Sequence, residues 1–249
     1  MFRNARLACV LLLCLSFSAV AKEPLAVHVA DQQAKPEPGK ALVLFMRPSS
    51  VGFAVASSVY DAPDEDTRFI GVVRSKQKMA YQAEPGVHRF MVIAENADFL
   101  DATLEAGKTY YVLIQPRMGV WKARFSLFPL HNHADPGDTL QSPDFPKWNA
   151  KTELVATSPA GLAWYEENKT SVAEKKADYL AKWNRMLASD RAELVLHPHD
   201  GVVSDAASAG MAAAVAPATA TPEEPASDVA PADTTAAPAP ESAAPATGT

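Results

Sequence analysis

Histidine is the residue type whose spacing most clearly points to chemistry in this chain. Four of its six histidines form two pairs, each with one residue in between. Imidazole and carboxylate are ligands of Zn²⁺ and Cu²⁺, so two such pairs could hold one ion if the fold brings them together. If they stay apart, they are solvated side chains in proline-rich connectors. The candidate metal ligands are His131, His133, His197 and His199, and the nearby carboxylates are Asp135 and Asp200.

Other reactive residue types do not form a catalytic pattern. Ser49, Ser50, Ser57 and Ser58 lack the glycine frame and the neighbouring histidine of a hydrolase nucleophile. The acidic segment 61–66 lacks the glycine and distal glutamate of a calcium loop, so it is interpreted as a solvated turn. Glycine-rich phosphate loops are missing, which argues against nucleotide or redox cofactors. We therefore expect no catalytic residue, no cofactor and no enzymatic activity.

Aromatic residues in the predicted strands raise the possibility of a glycan site. Tyr110, Tyr111 and Trp121 could stack on sugars of the cell wall if their rings are exposed. Core packing is the alternative explanation. Because side chains alternate along a strand, at most one of Tyr110 and Tyr111 can point outward.

The N-terminal segment 1–21 has the layout of a signal peptide. Two arginines precede an apolar run at 7–15, and Ala19 and Ala21 form the small-residue pattern before a cleavage site. We expect a periplasmic or secreted protein with no transmembrane segment after cleavage. Cleavage after Ala21 removes both cysteines of the chain, Cys9 and Cys14, and with them disulfides and thiolate sites. A lipid anchor on one of these cysteines is the alternative.

The C-terminal segment 202–249 consists mostly of Ala, Pro, Thr and Ser and has no aromatic residue. Such a segment cannot bury enough apolar surface to offset its ordering entropy, so it is predicted to be a disordered acidic tail. Its acids carry most of the formal net charge of −6. The rest of the chain is nearly neutral, which argues against nucleic acid as a partner.

Between the two ends, the pattern predicts three regions. Residues 22–39 are expected to be an N-terminal linker. Residues 40–130 are expected to be a β-sandwich domain of about eight strands, because apolar and polar side chains alternate over 40–128 and turn residues recur at short intervals. Residues 131–201 are expected to be a connector with a helical extension.

Three motifs of the predicted sandwich resemble a known family. These are Phe45-Met-Arg-Pro-Ser49, Glu84-Pro-Gly-Val-His88 and Glu105-Ala-Gly-Lys-Thr-Tyr-Tyr111. They are similar to the landmarks of an uncharacterised family of bacterial envelope β domains, a domain of unknown function often found on lipoproteins and similar to PEGA-type surface modules. The resemblance covers about residues 40–128. It implies an immunoglobulin-like or related β-sandwich and no known catalytic residue.

Two helices are predicted after the strands. A short one begins near Pro146 and runs towards Glu153, and a long one begins with Ser158 as N-cap and Pro159 in its first turn and continues to about Leu187. Its apolar residues recur every fourth or seventh position. We expect this stripe either to dock on the sandwich or to form a homodimeric coiled coil. The stripe consists of Leu162, Tyr165, Val172, Tyr179, Trp183 and Met186.

Taken together, the sequence favours an exported, non-enzymatic interaction or binding module of the cell envelope, with an envelope protein or a cell-wall component as partner. The first alternative is a periplasmic metal-binding protein that uses the paired histidines. The second is a glycan-binding or cell-wall-binding protein that uses the sheet aromatics.

Overall fold

The computed structural model describes residues 22–117, 124–133 and 137–203. The predicted signal peptide, nearly all of the predicted tail, Trp121 and Asp135 lie outside the described residues. Within them the protein is mainly β, with two mixed sheets followed by a long helix. This confirms the predicted fold class, and the described part of 40–130 contains eight strands.

The elements follow one another closely along the chain. The strands are β1 (Ala26–His28), β2 (Ala41–Arg47), β3 (Ser57–Asp61), β4 (Arg68–Val73), β5 (Gln77–Ala83), β6 (Gly86–Ile93), β7 (Ala97–Leu104), β8 (Lys108–Arg117), β9 (Arg124–Pro129), β10 (Glu153–Thr157), β11 (Val195–Leu196) and β12 (Val202–Val203). The helices are α1 (Phe145–Lys151), α2 (Pro159–Trp183) and α3 (Ala188–Ala192), and a 3₁₀ turn spans Pro198–Asp200. Strands β1, β10, β11 and β12 lie in segments that the sequence analysis assigns to linker, connector or tail.

The strands form two sheets that face each other. The larger has the order β1-β10-β5-β2-β8-β12, with β9 also paired to β8, and the smaller has the order β11-β7-β6-β3-β4. Both sheets are mixed, because β2 pairs with β8 in parallel, as do β10 with β5 and β11 with β7. Alternation reports which face of a strand is buried, but not the direction of its neighbour.

The main hydrophobic core lies between the two sheets. Phe45 of β2 and Phe90 of β6 are both fully buried and meet edge to face, with ring centroids 5.1 Å apart. Strand β2 is buried along its whole length, which explains its nearly continuous apolar sequence. This rigid double layer positions the loops at its ends.

A buried arginine ends β2 and shapes the loop that follows. Arg47 is fully buried and donates to the carbonyl oxygens of Gly52 and Val55, both at 2.6 Å. The loop therefore wraps around the guanidinium, and β3 begins only at Ser57. Phe53 is exposed. Burial, and to a smaller extent Arg74, lowers the pKa of Arg47 to about 10.

Helix α2 covers the outer face of the smaller sheet. Its N-cap is Ser158 as predicted, whose side chain accepts a hydrogen bond from the Gly161 N–H. Val172 and Trp183 are buried against that sheet, so the apolar stripe docks on the chain's own sandwich. The homodimer stays a prediction. In the described residues we find no helix with the length and apolar character needed to span a membrane.

Leu162 does not belong to the docked stripe, contrary to prediction, since it is 54 % exposed. The first turn of α2 packs through Gly161 instead. A side-chain carbon on Gly161 would lie 2.2 Å from the backbone oxygen of Leu25, so this approach is open only to glycine. Leu162, the next residue, is thereby turned towards solvent.

Candidate metal centre

The two histidine pairs follow strands of different sheets. His131 and His133 come after β9 of the larger sheet, and His197 and His199 come after β11 of the smaller one. The backbone of His131 is fixed by an isolated bridge to Thr139 and by a hydrogen bond that its carbonyl accepts from the Leu140 N–H at 3.0 Å. The backbone of His131 is therefore not part of a loose connector.

The second pair is held against β8. The carbonyl of Pro198, between His197 and His199, accepts hydrogen bonds from the Lys108 ammonium at 2.9 Å and from the Tyr110 hydroxyl at 3.3 Å. Gly201 allows this close approach, because a side-chain carbon there would lie 2.6 Å from the Tyr110 ring. The 3₁₀ turn is thus seated on the edge of the larger sheet.

The four imidazole rings form one compact group. Within each pair the ring centroids are 5.2 Å apart and the ring planes are within 10° of parallel. Across the pairs, His131 lies 6.1 Å from His197 and His133 lies 6.2 Å from His199. The structure therefore brings together the residues that the sequence analysis named as candidate ligands.

Asp200 ties the two pairs to each other. Its carboxylate is fully buried and accepts hydrogen bonds from His131 Nδ1 at 3.0 Å, from the Asn132 N–H at 3.1 Å and from the His197 N–H at 2.7 Å. Burial alone would raise the pKa of Asp200, but the hydrogen bonds from His131, His197 and Asn132 outweigh it and lower the pKa below its usual value. Asp200 thus stays ionised and orients the group.

The hydrogen bond to Asp200 also selects the tautomer of His131. When Nδ1 carries the proton and donates to the carboxylate, Nε2 becomes the nitrogen with the lone pair. This is the carboxylate–histidine arrangement that orients metal ligands in proteins. Ligand atoms of His131, His133 and Asp200 all lie within 4.8 Å of one another.

The size of the group suits a single ion. Imidazoles that share a metal at about 2 Å from their nitrogens have ring centroids about 5 Å apart. The measured separations run from 5.2 to 6.2 Å. The ligand atoms already within mutual reach are those of His131, His133 and Asp200, so His197 and His199 would have to move closer to share an ion. His133 and His199 are exposed while Asp200 is buried, so an ion could enter from solvent on the histidine side.

The tyrosines named for glycan binding do not offer a platform. Tyr110 is fully buried, and its hydroxyl is used in the 3₁₀ turn contact. Tyr111 is half-buried and meets Phe145 of α1 edge to face, with centroids 5.0 Å apart. Core packing therefore explains both residues.

The sequence analysis missed several residues that matter for the site. Lys108 and Tyr110 gave no local signal, because their partner Pro198 is 90 and 88 positions away along the chain. Asp61 was wrongly assigned to a solvated turn. It is 1 % exposed and accepts hydrogen bonds from Tyr81 and His88.

A scan against models of protein families gave no match, and a search of curated proteins found no similar sequence.

Proposed function

We propose that this protein is a non-enzymatic binding module of the bacterial cell envelope whose ligand is a transition metal ion, Zn²⁺ or Cu²⁺. The ion is held by His131, His133, His197 and His199. Asp200 acts behind them as the residue that orients His131. The observation that carries the proposal is the assembly of four imidazoles around one buried carboxylate.

The set of four imidazole ligands favours a transition metal ion of intermediate softness. Imidazole suits Zn²⁺ and Cu²⁺, whereas Ca²⁺ and Mg²⁺ prefer sets of oxygen ligands. Four imidazoles can fill a four-coordinate site, which is typical of storage, transport or structural sites rather than of catalytic sites with an open position. The resemblance to envelope β domains and the predicted signal peptide support an envelope location for this binding.

Isothermal titration of the tag-free protein with ZnCl₂ and with CuCl₂ tests the proposal. We expect one ion per chain, with Cu²⁺ bound more tightly than Zn²⁺ as the general order of divalent metals requires. The double variant His133→Ala/His199→Ala removes one ligand from each pair. Its affinity is expected to fall about a hundredfold or more. Loss of a residue that only orients a metal ligand typically lowers the affinity about tenfold or more, and loss of a ligand itself lowers it further.

His28 provides a matched control, because it is an exposed histidine outside the group. His28→Ala should bind both ions as the unchanged protein does. Circular dichroism of all variants checks that the sheets are retained. Lack of saturable binding of either ion, or equal affinity in the double variant, would refute the proposal.

A further inference from the structure

A second candidate site lies between α2 and the end of the β8–β9 hairpin. It is a cleft of about 270 Å³ on the side of the sandwich covered by α2. Of the described residues that line it, four are basic and two are acidic. The basic ones are Arg117, Arg124, Lys175 and Lys182, and the acidic ones are Asp98 and Asp178.

The two arginines are placed unfavourably for stability. Arg117 of β8 and Arg124 of β9 are direct partners across the antiparallel pair. Like charges in this position repel and destabilise the sheet. Among the described residues, neither arginine has a carboxylate within ion-pair distance. An anion between the two guanidinium groups would offset this repulsion.

The two lysines approach the cleft from the helix. Lys175 and Lys182 are seven positions apart, two helical turns, so they lie on the same face of α2. Neither forms an ion pair with a described carboxylate, although other lysines such as Lys169 do. The ammonium of Lys182 lies 5.1 Å from the centre of the Tyr179 ring, which lines the cleft.

The buried acid of the cleft is already engaged. Asp98 is 6 % exposed and accepts hydrogen bonds from the Tyr179 hydroxyl and from the Phe99 N–H. Burial, followed by the charge of Asp98, raises the pKa of Tyr179, so its hydroxyl stays protonated and continues to donate. Asp98 therefore does not neutralise the four cations, and Asp178 is exposed.

We propose that this cleft binds an anion of the phosphate class, through Arg117 and Arg124 from the hairpin and Lys175 and Lys182 from α2. Paired guanidinium groups match the tetrahedral oxygens of a phosphate by double hydrogen bonds, and lysines add charge without fixed geometry. The cleft is large enough for a pyrophosphate or a small phosphate ester. This site is independent of the histidine group.

Isothermal titration with sodium pyrophosphate tests the proposal, on protein freed of metal with a chelator and at low ionic strength. Arg117→Gln/Arg124→Gln should bind about tenfold more weakly for each removed guanidinium. Lys175→Gln/Lys182→Gln should show a smaller loss. Lys35→Gln/Lys151→Gln is the matched control, because it removes the same charge from exposed positions outside the cleft.

Thermal unfolding separates binding from a structural role of the arginines. Without pyrophosphate, Arg124→Gln should melt no lower than the unchanged protein, since the substitution relieves the repulsion from Arg117 and leaves the contact of Arg117 with the Phe128 ring in place. Pyrophosphate should raise the melting temperature of the unchanged protein and not that of the double arginine variant.

Sedimentation with phosphatidylglycerol vesicles distinguishes a soluble phosphate from a lipid headgroup. Binding of pyrophosphate alone supports a soluble ligand, and retention on vesicles that the double arginine variant lacks supports a headgroup. The proposal is overturned if neither probe binds, if the double arginine variant binds both probes normally, or if the control pair loses as much affinity as the arginine pair.

Discussion

Two buried carboxylates, Asp61 and Asp200, each contact a histidine, but the surroundings of the two histidines differ. Each is almost or fully inaccessible to solvent, and each lies 3.0 Å from the Nδ1 of a histidine. Around Asp61 the partner is His88, whose Nε2 lies 2.8 Å from the carbonyl oxygen of Glu84. Around Asp200 the partner is His131, whose ring stacks with those of His133 and His197.

The Nε2 atoms of His88 and His131 therefore have different surroundings. A carbonyl oxygen only accepts, so Nε2 of His88 donates to Glu84, while Nδ1 lies against the Asp61 carboxylate, and both contacts favour the protonated ring. His131 belongs instead to a group of rings that all offer nitrogen ligands. An Asp–His pair alone thus does not mark a functional site, and what surrounds the second nitrogen decides the role.

Of the substitutions that distinguish the Asp61–His88 pair from the Asp200–His131 pair, Asp61→Ala is expected to have the largest effect. It leaves the buried His88 and the Tyr81 hydroxyl without their shared acceptor. Breaking a buried ionic group in this way costs about 3 to 5 kcal/mol. Urea unfolding should show this loss, while zinc affinity stays unchanged. If Asp61→Ala does not fold, Asp61→Asn keeps the size and gives a smaller loss.

The control for Asp61 is Asp66→Asn on the same acidic segment. Asp66 pairs with Arg68, and the two side chains are 55 % and 58 % exposed. Surface pairs of this kind contribute about 1 kcal/mol at most. A loss for Asp61→Ala no larger than for the control, or a drop in its zinc affinity, would contradict the assignment of this pair to stability.

The next largest effect is expected for Asp200→Asn. The amide keeps the shape but loses the charge that holds the His131 proton, so zinc affinity should fall about 10-fold to 100-fold. Competition with a zinc-binding dye measures this. Stability should fall by about 1 to 3 kcal/mol, since a buried acceptor is weakened. Unchanged zinc affinity would mean that Asp200 has only a structural role.

The smallest effect concerns pH. Burial lowers the pKa of His88, but its hydrogen bonds to Asp61 and to the Glu84 carbonyl outweigh this and raise the pKa above its usual value. The stability that His88 contributes is complete below its unfolded pKa of about 6.5 and is lost as pH rises through the raised folded pKa. The melting temperatures of the unchanged protein and His88→Asn should therefore converge as the pH rises above about 6.5.

His28→Asn serves as the reference for this pH series. His28 faces Glu153 at 3.9 Å, but the two side chains are 60 % and 73 % exposed. Its difference from the unchanged protein should be small at every pH. A gap for His88→Asn that widens with rising pH would show that His88 is not held as an imidazolium.

The strands of the sandwich could be predicted because each carries its own burial pattern. Strands β2 to β9 all lie within the predicted sandwich region 40–130, and their number matches the expected eight. Strands β1, β11 and β12 have only two or three residues, too few for a pattern, and they exist because a sheet edge was open to pairing. Their formation depends on distant partners, which local sequence does not report.

The same limit applies to the candidate site. The spacing within each histidine pair could be seen in the sequence. That the two pairs lie close together could not, since His131 and Asp200 are 69 positions apart along the chain. Asp61 shows the opposite error. Its neighbours are acidic, which is typical of a solvated turn, yet its partner His88 is 27 positions away and draws it inside.

The last described segment, 195–203, joins both layers of the molecule. Strand β11 pairs with β7 of the smaller sheet, β12 pairs with β8 of the larger, and the histidine turn lies between them. The histidine turn therefore has its place only when both sheets are present. If the proposed metal binding is correct, an unfolded chain carries no assembled site, and the ion would come from the compartment in which the chain folds.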